Sequence, residues 1–296
     1  MTQVPCYKSG FVRRRQFLLG SAAAAAAGGD GAAGQAPAAS PGFHLGAVTY
    51  NVLKDFDLET VIGMLEKAGF EGVELRTTHK HGVEPSLSAA DRARVRQRFE
   101  RTKVRLVSYG TTCEFHSPDA AERRRQVEIG KLFVDLAHDT GAHGVKVRPN
   151  DFPEGVPHEV TIGNIAACLR ELGDYGANAS IEIYLEIHGR RTGYPPVAAD
   201  IMKATRHPQV GVCWNSDLTD VIDGSVAGNF ELVKPWIRHV HINELANRYP
   251  WRELFTLLRG ISYQGYTMCE ADESKEAARF LLWYRSLWTE LNRNCA

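Results

Sequence analysis

The sequence predicts an α/β protein with a single (β/α)8 barrel, and two observations support this fold class. Eight short runs rich in β-branched residues alternate with longer segments of helical spacing between residues 43 and 290. A chain of about 250 residues is the usual length of such a barrel. A doubly wound open sheet shares the alternation, but no G-x-G-x-x-G sequence follows the first strand to favour one.

The elements can be assigned from residue type and spacing. The first helix, DLETVIGMLEKAGF, starts at a capping Asp57, has apolar residues at helical spacing and ends at Gly69. The same signals predict seven helices, at 57–70, 119–143, 158–177, 196–207, 231–239, 251–261 and 275–292. Eight strands are predicted at 45–50, 72–77, 104–110, 144–149, 181–189, 210–215, 237–243 and 265–270.

The N-terminal segment has the composition of an export signal. Arginines 13–15 precede a short Ala/Gly-rich run, and the sequence APAAS at 36–40 offers a small-residue cleavage site. The residues RRQFL (14–18) resemble the core of twin-arginine signals. We therefore expect a signal peptide and linker at 1–39, a barrel at 40–296, and a periplasmic or extracytoplasmic location. The apolar run is too short for a permanent span, so no membrane helix is expected in the mature chain.

Composition limits the partners. The 296 residues include 35 basic and 35 acidic side chains, a balance that gives no general attraction to nucleic acid. The five cysteines after the signal form no C-x-x-C pair, which argues against a zinc knuckle or a redox dithiol. Most of them are expected to be small buried residues.

Strand parity predicts a polar barrel interior. In IEIYLEIH (181–188) the odd positions are aliphatic, while Glu182, Glu186 and His188 share the other face. Because the outer face of a barrel strand packs against helices, the polar set points inward. The other strands place further polar or charged residues inward: Glu74, Arg76, Lys146, Arg148, His239, His241, Asn243 and Glu270.

Three of these inward residues suggest a metal site. Glu186, His241 and Glu270 fall at the carboxyl ends of their strands, where TIM-barrel active sites lie. Two carboxylates, an imidazole and one further oxygen form a donor set that suits a divalent ion such as Mn²⁺ or Zn²⁺. Calcium prefers a site with oxygen ligands only. The alternative is a structural hydrogen-bonded cluster without metal.

The motifs LEIHGR, VGVCWN, HVHINE and MCE, in this order on strands five to eight, resemble the xylose-isomerase-like TIM barrels. That family includes sugar phosphate isomerases, ketose 3-epimerases and the endonuclease IV group. The resemblance to the epimerases implies four metal ligands: Glu186, Asn215, His241 and Glu270. It also implies that Glu186 and Glu270 remove and return a proton beside a substrate carbonyl, and that chains associate as homo-oligomers.

Asn215 departs from the family pattern, which has Asp at this ligand position. An amide oxygen can bind a cation but brings no negative charge. Asp217 lies two residues later on the same face if the strand continues, and could supply the missing charge. Alternatively, the residues NSD at 215–217 only begin a loop and bond to their own backbone.

A small-molecule carbohydrate is the expected substrate. Polar side chains at strand ends and in the following loops would bind it: His79, His116, Lys146, Arg148, His188 and Asp217. The main expectation is a metal-dependent sugar isomerase or epimerase. Three alternatives remain: a 3-keto-glycoside lyase or hydrolase, an endonuclease IV-like phosphodiesterase, and a barrel that binds sugar without catalysis.

Overall fold

The computed structural model describes residues 42–293. The predicted signal segment lies outside these residues and stays a prediction. Eight parallel strands close into one barrel in the order β1 to β8, each neighbour hydrogen-bonded to the next and β8 to β1. The strands are β1 His44–Val48, β2 Gly72–Arg76, β3 Arg105–Glu114, β4 Gly144–Arg148, β5 Glu182–Glu186, β6 Val210–Asn215, β7 Ile237–Ile242 and β8 Tyr266–Cys269. The predicted fold class is confirmed.

Helices follow the strands around the outside of the barrel. They are α1 Leu58–Ala68, α2 Ala89–Glu100, α3 Ala120–Thr140, α4 His158–Ala179, α5 Pro195–Thr205, α6 Ala227–Val233, α7 Trp251–Gly260 and α8 Ala277–Arg293. The caps expected for α1 are present: the Asp57 side chain accepts a hydrogen bond from the Thr60 amide, and Gly69 ends the helix in the left-handed conformation. No helix within residues 42–293 is long and apolar enough to cross a membrane.

Two helix predictions need correction. Helix α2 was missed because its sequence is rich in arginine and buries only Val95 and Phe99. The helix predicted at 231–239 instead covers Ala227–Val233. A 3₁₀ turn with Pro235 follows it, and β7 begins at Ile237.

The alternation of inward and outward residues is as predicted. On β6, Val210, Val212 and Trp214 are buried in the outer layer, where Trp214 packs against Phe230 of α6. Inside the barrel, the Tyr184 ring stacks on His239 with ring centroids 4.9 Å apart. Glycine at 144 is required here, because a Cβ atom would lie 2.2 Å from that tyrosine ring.

The amino-terminal end of the barrel is closed by ordinary polar pairs. Glu182 accepts a hydrogen bond from the Tyr184 hydroxyl and pairs with Arg238 at 2.8 Å. Glu182 is thus an ion-pair partner, away from the rim that carries Glu186. The four cysteines within the described residues, Cys113, Cys168, Cys213 and Cys269, are free and buried, as expected.

Candidate metal centre and active site

Four strands bring the predicted metal ligands to one rim of the barrel. Glu186 ends β5 and Asn215 ends β6. His241 lies beside Asn215 in the register between β6 and β7, and Glu270 follows directly after β8. Because the strands are parallel, their carboxyl ends meet, and side chains far apart in sequence become neighbours.

His241 is the centre of this group. Its Nδ1 atom lies 3.0 Å from Glu270 Oε2 and 3.3 Å from Glu186 Oε1. The three potential ligand atoms lie within 4.8 Å of one another. Asn215 lines the same cavity, and its side chain makes no hydrogen bond within residues 42–293. Its amide oxygen is therefore available as a fourth ligand.

Glu186 also forms a buried ion pair. Lys146 Nζ lies 2.6 Å from Glu186 Oε2, and the two side chains are 6% and 2% exposed. Burial would raise the pKa of Glu186, but Lys146 and then His241 outweigh it and hold that pKa well below the usual range. Burial would lower the pKa of Lys146, but the negative charge of Glu186 has the larger opposing effect and raises that pKa above its usual value. Glu186 is thus ionised, with Oε1 directed toward His241.

Glu74, fully buried on β2, lies beneath His241. Its Oε1 is 3.4 Å from His241 Nε2, while Oε2 accepts a hydrogen bond from Ser108 and lies 2.9 Å from His239 Nε2. Gly110 makes room for this carboxylate, since a Cβ there would lie 2.6 Å from Oε1. Burial would lower the pKa of His241, but Cys213, Glu270 and Glu74 raise it well above its usual value, so without a metal ion both ring nitrogens carry a proton. A metal ion at Nδ1 would displace the proton there, while Glu74 favours retention of the proton on Nε2.

Cys213, His239 and His241 form a second group of potential ligands within the described residues. This group is fully buried, and burial raises the pKa of the Cys213 thiol to about 11. His239 Nε2 is already paired with Glu74. The rim group, with ionised Glu186 and access to the cavity, is the better site for an ion.

The rim residues fit a divalent metal ion. They offer two carboxylates, one imidazole nitrogen and one amide oxygen on four adjacent strands, a donor set that suits Mn²⁺ or Zn²⁺. Lys146 donates a hydrogen bond to only one oxygen of Glu186, Oε2. The other oxygen, Oε1, faces His241 and can bind an ion. A bound ion could polarise a substrate carbonyl in the cavity.

A cavity of about 300 Å³ opens above this group. Lys146, Arg148, His188 and Asp217, all predicted to bind substrate, line it. Burial lowers the pKa of His188, and its buried Nδ1 has no hydrogen-bond partner within residues 42–293. His188 is therefore available to a ligand in its neutral form.

The two remaining predicted substrate ligands lie elsewhere. His79 Nδ1 is 2.9 Å from the Thr49 hydroxyl, and its ring stacks on Tyr50. Burial, followed by Arg76, lowers the pKa of His79 to about 4. Neither His79 nor His116 belongs to the cavity lining. Their role in substrate binding stays a prediction.

The proposed extension of β6 to Asp217 is wrong, because the strand ends at Asn215. Asp217 caps a 3₁₀ turn at Leu218–Asp220: its side chain accepts from the Thr219 amide, and its own amide donates to Asp220. The loop interpretation is right for Asp217, which still lines the cavity.

Several cavity residues were not singled out from the sequence. Arg76 ends β2 and had been placed only on the inward face, Asn51 follows β1, and Asp272 follows β8. Each lies within a few residues of the carboxyl end of a strand, and this position in the sequence could have identified it as a cavity residue. Glu74 gave no such signal, because its contact with His241 depends on packing across the barrel.

The closed barrel and its rim of carboxylates and imidazole define a TIM barrel with a candidate metal centre. A model of the xylose isomerase-like TIM barrel family matches residues 62–287, and the chain belongs to this family.

Known proteins similar to this chain include isomerases, epimerases, a dehydratase and a protein with a bound zinc atom. A Danio rerio protein named "Putative hydroxypyruvate isomerase" is 24% identical over 106 residues, which is 33% of this chain and 38% of that relative. The chain thus matches well under half of that curated relative's length.

Solved structures of other proteins share the fold. The 3-keto-D-glucoside 4-epimerase YcjR of E. coli has a TM-score of 0.69 and 15% identity, with 84% of this chain and 98% of that chain covered. The IOLI protein with a bound zinc atom has a TM-score of 0.68 and 15% identity, and the match covers 86% of this chain and 98% of the IOLI chain.

Proposed function

We propose that this protein is a divalent-metal-dependent isomerase or epimerase of a ketose or keto-sugar derivative. The observation that carries the proposal is the convergence of Glu186, His241 and Glu270 within 4.8 Å at the carboxyl rim of the barrel. Family membership supports the reaction class, and the zinc-bound neighbour and the donor set support the metal.

The chemistry is a proton transfer at a carbon beside a carbonyl. One glutamate accepts the proton from that carbon, the C–H electron pair forms a C=C bond, and the C=O π pair moves to the oxygen to give an enediolate. The other glutamate can then give a proton to the same carbon on its opposite face, or a proton can go to the neighbouring carbon while the hydroxyl proton passes from one enediolate oxygen to the other. The first outcome is epimerisation and the second is isomerisation.

The residues around the two glutamates prepare this step. Lys146 keeps Glu186 ionised, so the carboxylate can accept a proton at neutral pH. Glu270 lies on the other side of His241 and is partly exposed to the cavity, with 20% of its side chain accessible. A bound divalent ion would acidify the C–H bond by polarising the carbonyl.

Solvent deuterium incorporation tests the proposal. Metal-loaded protein in D₂O is incubated with ketoses, hydroxypyruvate and a 3-keto glucoside, and loss of the C–H signal beside the carbonyl is followed by NMR. Glu186→Gln and Glu270→Gln should each lower the exchange rate by about 100-fold or more, because a positioned acid or base contributes that much. Metal content is measured on each variant to separate proton transfer from metal loss.

Glu182→Gln is the matched control, since it lies on the same face of β5 at the opposite end of the barrel. It should exchange at the wild-type rate. Normal exchange in both the Glu186 and Glu270 variants would overturn the acid and base assignment, and no exchange with any substrate would overturn the reaction class.

A lyase acting on 3-keto glycosides is the second candidate. The E. coli neighbour named for a 3-keto-glucoside favours a substrate of this kind. The first step is the same, but the enediolate then expels a leaving group in place of taking back a proton. Release of the aglycone without a stereoisomeric product in the same experiment would select this reaction.

A further inference from the structure

The positive charges around the cavity lie on one side of it. Arg76 comes from β2, and Lys146 and Arg148 come from β4. Lys146 is paired with Glu186, and Arg148 is paired with Glu114. Arg76 forms no ion pair with any carboxylate of residues 42–293. Its charge is therefore uncompensated beside the cavity.

The Arg76 side chain is nevertheless held in place. Its Nη1 donates to the Thr77 carbonyl at 3.0 Å and to the Thr78 hydroxyl at 3.1 Å. The guanidinium carbon lies 5.5 Å from the centre of the Tyr50 ring, which lines the same cavity. Within the described residues, Nε and Nη2 of Arg76 have no hydrogen-bond partner. A preorganised guanidinium edge thus remains for a ligand.

Arg148 adds a second donor without a partner on this side. Its Nη2 bonds to Glu114, but its Nε is buried and has no hydrogen-bond partner within residues 42–293. A buried donor without a partner costs free energy, which a bound acceptor would recover.

The position of Arg76 indicates that it would contact the end of the substrate remote from the carbonyl. In a closed barrel of eight strands, β2 lies opposite β6, the strand of Asn215. A substrate with its carbonyl at the Glu186–Glu270 side would extend across the cavity toward Arg76. Guanidinium groups bind carboxylates and phosphates in two-point geometry.

We infer that the substrate carries an anionic group, a carboxylate or a phosphate, at the end remote from its carbonyl, and that Arg76 recognises it. The inference rests on the proposed function for the placement of the carbonyl. It narrows the substrate class to sugar acids or sugar phosphates with a free ketone.

Three ketoses with the same carbonyl end test the inference. D-Fructose is neutral, D-fructuronate has a carboxylate at C6, and D-fructose 6-phosphate has a phosphate there. Dissociation constants are measured on the metal-loaded protein. Wild type should bind at least one of the two anions about 10- to 100-fold more tightly than D-fructose, as expected for a charge-assisted hydrogen-bonded pair. Whichever anion binds more tightly identifies the group.

Arg76→Gln should remove this preference by weakening the binding of the anions about 10-fold or more relative to that of D-fructose, while Arg76→Lys should keep only part of the preference. Arg279→Gln is the matched control, because Arg279 also packs over an aromatic ring, Trp283, but lies on α8 outside this cavity. Equal binding of all three ketoses by wild type, or an equal loss for all three in Arg76→Gln, would overturn the inference.

The two proposals fail separately. An anion preference that depends on Arg76, without deuterium exchange of any ketose, would refute the reaction and retain the anion subsite. Exchange of neutral ketoses without an anion preference would retain the reaction and refute the subsite.

Discussion

Asn215 is the residue at which this chain differs most clearly from the epimerase pattern that it resembles. Its side chain lines the cavity beside His241, and it makes no hydrogen bond within the described residues. The site therefore offers two carboxylates, Glu186 and Glu270, and the ammonium of Lys146 offsets one of their charges. We expect a metal ion to be held less tightly here than by three carboxylates.

The Asn215→Asp substitution tests this reading at the residue scale. The added carboxylate should tighten Mn²⁺ binding by about 10-fold or more, because ligand charge is a main determinant of cation affinity. Affinity is measured by titration against a chromogenic chelator. Asn51→Asp, which adds the same charge elsewhere in the cavity lining, is the control and should have a smaller effect. Equal effects of the two substitutions would remove Asn215 from the ligand set.

The segment after β6 depends on a buried carboxyl group. Asp220 is fully buried, accepts hydrogen bonds from the Tyr249 hydroxyl and the Asp217 amide, and leaves Oδ1 without a partner within residues 42–293. Burial raises the pKa of Asp220 to about 7. The 3₁₀ turn that follows Asn215 thus contains a carboxyl group that is protonated in the folded protein under mildly acidic conditions.

Asp220 should make stability depend on pH. Between about pH 4 and pH 7 the unfolded chain has lost this proton and the folded protein retains it, so the stabilisation decreases as pH rises through about 7. The free energy of unfolding of wild type should fall relative to Asp220→Asn by up to about 4 kcal/mol over this interval and stay level above it. Urea unfolding at a series of pH values measures the difference.

The exposed Asp223 on the same loop supplies the control substitution. Asp223→Asn, measured in the same series, shows how much of the effect comes from removing a charge from this loop and how much is specific to the buried Asp220. A constant difference between wild type and Asp220→Asn would mean that Asp220 titrates normally in the folded protein.

At the scale of the whole molecule, a polar column runs through the barrel. It starts at the Glu182–Arg238 pair at the amino end, passes Tyr184, His239 and Glu74, and reaches His241 at the rim. Such groups are costly to bury unless each is paired. Glu74 and Glu270 face the two nitrogens of the His241 ring, and of these two contacts only the one between Nδ1 and Glu270 is a hydrogen bond.

The sequence predicted the barrel and the inward residues because strand alternation is a local property. The residues at the carboxyl ends of β5 to β8 could be identified in the same way. The pairing of Glu74 with His241 could not, because it depends on side-chain packing across the barrel. The sequence also did not predict where β6 ends, because the turn at Leu218–Asp220 is stabilised by hydrogen bonds between Asp217 and Asp220.

Direct measurement of bound Mn²⁺ tests the metal centre on which the whole account depends. The electron paramagnetic resonance signal of free Mn²⁺ gives the number of ions bound per chain and their affinity. Wild type should bind one ion at the rim. Cys213→Ala, which breaks only the buried group of potential ligands, should bind it equally well, whereas Glu270→Gln should weaken it by more than about 10-fold. No bound ion in wild type with Mn²⁺ or Zn²⁺ supplied, or loss of the ion in Cys213→Ala but not in Glu270→Gln, would contradict the account.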